Sequence, residues 1–151
     1  MRRLAALAIA SFVVLAPAMP RAQNQPPPHA WLFGAWTGGL FPAPSSMTAQ
    51  ECLAQPTVIF TRDLVMRSML TDATYEQHVI ETARTTATGA EFRFTGPPAP
   101  SGGLLGLGGP PQAGFGCQSP DVLNVQRRGD HEITFPGCAD YPYPLVRCPG
   151  R

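Results

Sequence analysis

The stretches of this chain able to form regular structure are short, rich in β-branched and aromatic residues, and separated by glycine and proline. The 151 residues include 18 prolines and 15 glycines. Proline removes an N–H that a helix interior or a central strand needs, and glycine weakens both. Thr57 to Arg62 (TVIFTR) and Leu64 to Leu70 (LVMRSML) are runs of β-formers. Trp31 to Phe41 (WLFGAWTGGLF) is apolar and aromatic, with glycines that mark bends in a strand. Ala90 to Thr95 alternates, with Ala90, Phe92 and Phe94 on one face and Glu91, Arg93 and Thr95 on the other. Thr74 to Thr86 carries two signals. Tyr75, Val79 and Ala83 recur at helical spacing, but the threonines and β-branched residues favour a strand. Asp121 to Arg127 and His131 to Phe135 read as a hairpin, with Gly129 at its tip supplying a positive φ. The closing YPYPLVRC is too proline-rich for a central strand. Together these runs predict an all-β fold, an antiparallel up-and-down barrel or a curled sheet.

The N-terminus is of another kind. Met1, Arg2 and Arg3 precede an uncharged run from Leu4 to Leu15, and Ala16-Pro17-Ala18 follows. A basic start, an apolar stretch and a small-residue exit form a signal peptide over residues 1–22, with cleavage expected after Ala18 or Ala22. The run is too short to span a bilayer, which takes roughly 20 apolar residues. No other stretch approaches that length, so no membrane span is expected in the mature chain. Residues 23–29, with Pro26 to Pro28 in a row, form an extended leader. Residues 30–148 are the size of one domain. Within it, residues 96–116 hold eight glycines and five prolines, which predicts a mobile inserted loop that folding can dispense with.

Export places the protein in the periplasm or outside the cell, where Cys52, Cys117, Cys138 and Cys148 are expected to form two disulfides. No cysteine pair has the spacing of a zinc knuckle, so no metal site is read here. A turn centred on Gly129 brings Cys117 toward Cys138 and leaves Cys52 for Cys148. The pairing of Cys52 with Cys117 and Cys138 with Cys148 stays open. All eleven basic residues are arginine, a coding bias rather than a chemical signal. In the mature chain they do not cluster beyond Arg127-Arg128, which excludes nucleic acid as the natural partner.

The group Leu32-Phe33-Gly34-Ala35-Trp36-Thr37-Gly38 contains a Gly-x-Trp on the first strand. It resembles the signature of the lipocalins, or calycins. In that family the Trp closes one end of an up-and-down barrel and an Arg from a late strand stacks over it. The resemblance implies burial of Trp36 beneath Arg127 or Arg147, and a bend at Gly34 that tolerates no side chain. It also implies an apolar small molecule bound in the barrel mouth, with Phe33, Trp36, Phe60, Phe92 and Phe94 as lining residues. The family's Thr-Asp-Tyr motif is absent: Thr71-Asp72-Ala73-Thr74-Tyr75 departs from it.

Catalytic signals are missing. His29, His78 and His131 sit in no recognisable motif, and neither Gly-x-Ser-x-Gly nor His-Glu-x-x-His occurs. Glu76 and Glu81, five residues apart in a strand, point to opposite faces and read as solvated surface charges. Arg128-Gly129-Asp130 spells an adhesion tripeptide, but a hairpin turn accounts for it. The expected function is therefore a non-catalytic exported barrel-like domain with no cofactor, binding a small apolar ligand. The alternative is an envelope interaction or inhibitor domain that binds a macromolecular partner. A hydrolase ranks last. An empty interior would favour the ligand, and a filled interior with an exposed apolar patch would favour the partner.

Overall fold

Alternating side chains on short strands can bury one face only by curling that face inward, and eight such strands do so here. The computed structural model describes residues 25–44, 46–70, 72, 74–96 and 114–150. The signal-peptide reading and residues 97–113 of the Gly/Pro-rich stretch lie outside the described residues. The strands are β1 (Gly34–Gly38), β2 (Thr57–Phe60), β3 (Leu64–Ser68), β4 (Glu76–Thr85), β5 (Gly89–Phe94), β6 (Val122–Arg127), β7 (Glu132–Thr134) and β8 (Leu145–Arg147). Each pairs antiparallel with the next, and β8 returns to β1, giving a closed up-and-down barrel. Closure leaves no sheet edge exposed to other chains.

The two ends of the barrel differ. At the tight end, β2–β3, β4–β5 and β6–β7 are joined by turns at 61–63, 86–88 and 128–131. At the loop end, the connections run over 39–56, 69–75, 95–121 and 135–144. The interior face is set by cross-strand register, because directly paired residues share a face. Trp36 pairs with Val58, Phe60 with Val65, Phe92 with Leu123, Ala90 with Val125 and Ile133 with Leu145. All ten are buried.

Several elements differ from their sequence reading, each for a local reason. The Trp31 to Phe41 run is not one bent strand. Ala30–Leu32 forms a 3₁₀ turn, and β1 starts only at Gly34. His29, counted with the leader, is buried with its Nε2–H donating to the Thr61 carbonyl. The proline-rich tail does supply a strand, β8, paired on both sides. Its prolines, Pro142 and Pro144, precede the paired residues and remove no ladder hydrogen bond. A short helix, α1 (Ala49–Leu53), was not expected, although Thr48 and Glu51 form a capping box that the pattern Thr-x-x-Glu announces. The β6–β7 register pairs Gln126 with Thr134 and Arg127 with Ile133, so the turn centres on Asp130. Gly129 is not among the glycines with positive φ. In β4 a bulge between Ile80 and Thr82 puts both Ile80 and Ala83 inward, which strict alternation would not do.

Two disulfides close the structure: Cys52–Cys148 and Cys117–Cys138. The first fastens α1, which packs outside β1, to the chain just after β8. Beneath α1, Thr37 donates to the Pro56 carbonyl, while Thr57 donates to those of Cys52 and Gln55. The second ties the β5–β6 connection to the β7–β8 connection. The bonds span 96 and 21 residues. Constraint of the unfolded chain grows with the logarithm of loop length, so the longer bond contributes about 1 kcal/mol more. Urea unfolding of the double variants C52A/C148A and C117A/C138A should show the larger loss in the first. Equal losses would mean that native-state packing around the bonds outweighs loop closure.

Candidate functional site

At the tight end a cation lies over a tryptophan. Gly34 has φ +116°, a conformation open to glycine, and the chain turns there from the 3₁₀ segment into β1. Trp36 follows on the inner face and is fully buried, its indole N–H donating to the Leu32 carbonyl at 2.8 Å. Arg147 of β8 pairs with Trp36 in register and sets its guanidinium 4.2 Å from the ring centroid. The same guanidinium donates to the carbonyls of Phe33 and Trp31. Arg127 takes the other tryptophan, 5.2 Å above the Trp31 ring. Burial, with the nearby charge of Arg127, lowers the Arg147 pKa from its ordinary value. The group stays charged, since arginine starts above 12.

Above this stack the interior is aromatic and occupied. Phe60 meets Phe92 at 5.5 Å, Phe92 stacks on Phe94 at 6.3 Å, and Phe94 meets Phe115 at 5.7 Å. Phe115 and Phe135 each contact Tyr141. Of the five lining residues suggested by the resemblance, Phe60, Phe92 and Phe94 thus touch one another. Trp36 sits lower, under Arg147. Phe33 is half-buried against His29. Clefts of about 590 Å³ and about 450 Å³ lie on the outer surface, and none of the five lines either. Phe115 belongs to the stretch expected to be dispensable, yet it is buried at the centre of the loop-end layer. A 96–116 deletion would therefore remove a core side chain.

The loop end holds a polar cluster that the sequence did not reveal. Arg67 pairs with inward Val58 on one side and Glu76 on the other, so both charged residues point into the barrel. Arg67 Nε donates to Glu76, and Nη1 donates to Asp140 at 3.1 Å. The guanidinium also lies 5.9 Å from the Phe115 centroid. Burial pulls the Arg67 pKa down, but Glu76, with smaller contributions from Tyr141 and Asp140, outweighs it and the net shift is upward. His78, opposite Val65 on the same inner face, has its ring 4.9 Å from Phe115 and 5.2 Å from Phe94. Its Nε2 is 3.4 Å from Glu76 Oε1 but is not aligned as a hydrogen bond. Burial depresses the His78 pKa, Glu76 opposes this and Arg67 adds to it. Burial raises the Tyr141 phenol far above its ordinary value, and its hydroxyl has no partner among the described residues.

Glu76 is thus an ion-paired group inside the barrel rather than a solvated surface charge, its side chain 16% exposed against 12% for both Arg67 and His78. Val79, one of the residues at helical spacing, points outward from β4 and is exposed. The signal that could have found the cluster is the parity of Glu76, His78 and Ile80, hidden because two of the three are polar. An imidazole beside a carboxylate is a starting point for acid–base chemistry. Here Glu76 is committed to Arg67, and the rings against His78 belong to Phe94 and Phe115. Among the described residues no group of three His, Cys, Asp or Glu side chains is placed to hold a metal ion.

Trp36→Ala should cost about 3–5 kcal/mol in denaturant unfolding, as for other large core aromatics. Gly34→Ala should cost about 1–3 kcal/mol through its backbone conformation alone, since a Cβ there meets only the Arg147 guanidinium at 3.5 Å. A Gly34→Ala protein as stable as wild type would mean that β1 can begin without the left-handed residue. In Arg67→Met the His78 titration, followed by imidazole NMR, should move upward, because a cation is lost and Glu76 is freed. An unmoved titration would show that Arg67 does not act on His78.

No protein-family model, curated protein or solved structure matches this chain, so the function rests on its own geometry.

Proposed function

We propose that the protein is a non-catalytic exported binding module whose working surface is the loop end of the barrel, and that its ligand there is a macromolecular partner in the cell envelope. The observation that supports this most is the placement of exposed apolar side chains. Phe41, Leu53, Leu70 and Tyr143 are exposed by 56%, 44%, 61% and 45%, and all four lie on loop-end connections. The connections bearing Phe41 and Tyr143 are joined by Gly39 N–H to the Pro144 carbonyl and Tyr143 N–H to the Gly39 carbonyl. Large apolar groups gathered on one end mark interaction surfaces, whereas scattered ones need no explanation. The interior layers described above are occupied by their own side chains, so contact falls to the rim.

The two disulfides fit an oxidising compartment, and the N-terminal signal extends this to the periplasm or secretion. The stack of Arg147 on Trp36 within a closed barrel supports kinship with the lipocalins. That kinship carries a second reading, a small apolar ligand held in the barrel mouth. What favours it is a pair of buried polar atoms with no hydrogen-bond partner among the described residues, His78 Nε2 and the Tyr141 hydroxyl, behind a phenylalanine supplied by a connection rather than a strand.

Photo-crosslinking in the producing cell separates these readings. With a benzoylphenylalanine at Leu70 or Tyr143, the partner reading expects a discrete heavier adduct, lost when Phe41→Asp is added. The same probe at Arg84 or Asp130, which face away from the loop end, should give none. Absence of any rim-specific adduct would overturn the partner reading and leave the small-ligand one.

A further inference from the structure

His78 is an ionisable side chain stacked among apolar rings at the end of the barrel proposed to do the work. Its ring contacts Phe94 from β5 and Phe115 from the β5–β6 connection, neither of which can compensate a charge by ion pairing. The charged and titratable groups of the cluster it belongs to come from four places. Glu76 stands on its own strand and Arg67 on β3. Tyr141 and Asp140 come from the β7–β8 connection, and Asp72 from the β3–β4 connection acts on Tyr141. Arg67 already binds both Glu76 and Asp140. An imidazolium formed in place would be a second cation competing with Arg67 for Glu76, and it would be desolvated under two rings.

Water reaches the His78 ring when Phe115 leaves, and Phe115 is mounted so that it can. Gly114 and Gly116 on either side have φ +22° and +66°, backbone that glycine adopts without cost. The segment belongs to no strand, so its departure breaks no ladder. The Gly116 carbonyl accepts from Ala139 N–H, and the Cys117–Cys138 disulfide holds the segment beside its seat. A seated Phe115 limits water at an imidazole whose side chain is 12% exposed, and withdrawal of Phe115 would hydrate it further.

We propose that His78 and Phe115 form an acid-operated latch on the loop end: a neutral His78 keeps the Phe115 ring seated, and protonation of His78 drives it out and opens the seat among Phe94, Phe135 and Tyr141. Its role in controlling access to the working surface rests on the binding-module reading, but the latch itself is a property of the isolated protein. The direction follows from linkage. Burial is the main reason the seated state holds His78 below the ordinary imidazole value of about 6.5. The seated state therefore takes up a proton less readily than the open one, and falling pH shifts the balance toward the open state.

Hydrogen exchange on the purified full chain tests this, with rates corrected for the intrinsic effect of pH. Measurements at about pH 7.5 and about pH 5 bracket the ordinary imidazole value. Peptides covering 114–117 and 138–143 should open more at the lower pH, while β1 and β2 peptides stay unchanged, because the open state binds the extra proton. In His78→Gln the acid response should vanish. If that variant fails to fold, His78→Phe keeps a ring between Phe94 and Phe115 and should stay closed at both values. A wild-type protein with no acid opening at 114–117, or an equal response in a folded His78 variant, would overturn the latch. Neither result depends on a partner, so the latch and the cross-linking can fail separately.

Discussion

Arg147 is where the beginning and the end of the barrel are joined. Its strand pairs with β1, its guanidinium covers Trp36, and its remaining donors bind the carbonyls of Phe33 and Trp31. A closed barrel of short strands depends on such a joint, because β7 and β8 offer only three residues each to the ladder. Backbone pairing of that length is marginal unless side chains add to it. The cation–π contact, the carbonyl contacts and the Cys52–Cys148 bond one residue further on all act at this one seam. The Gly34 turn is part of the same joint, since it aims the 3₁₀ segment across the barrel floor where its carbonyls meet Arg147.

A floor made this way leaves chemistry to the opposite end. The tight end is closed by turns and by arginines spread over tryptophans. The loop end combines long connections, a disulfide between two of them, exposed apolar side chains and an internal ion-paired cluster. Burying Arg67 and Glu76 inside a barrel is costly unless they are paired and hydrogen-bonded, and Asp140 supplies the second partner that Arg67 needs. The cluster is thus self-compensated, with His78 Nε2 and the Tyr141 hydroxyl as the members without a hydrogen-bond partner among the described residues. Those two groups distinguish this end from a simply plugged core.

The chain alone determined a good deal. Alternation in Ala90 to Thr95, β-formers in Thr57 to Arg62 and turn residues between runs suffice for an all-β meander, because period-two patterning is local. The pairing of Cys117 with Cys138 was also within reach, since it follows from a hairpin whose turn centre was off by a single residue. Gly34-Ala35-Trp36 pointed to a buried tryptophan beneath a late arginine. What the chain could not show is which residue of a polar strand faces inward. In β4 a bulge changes the parity midway, and the polar Glu76 and His78 face inward while apolar Val79 is exposed. Nor could it show that Phe115, set in a run of glycine and proline, returns to fill the core. Strand parity after a bulge, and the contacts between Arg67, Glu76, Asp140 and Phe115 across up to 73 residues of chain, exist only once the sheet has closed, and so the tertiary structure alone decided where the candidate site lies.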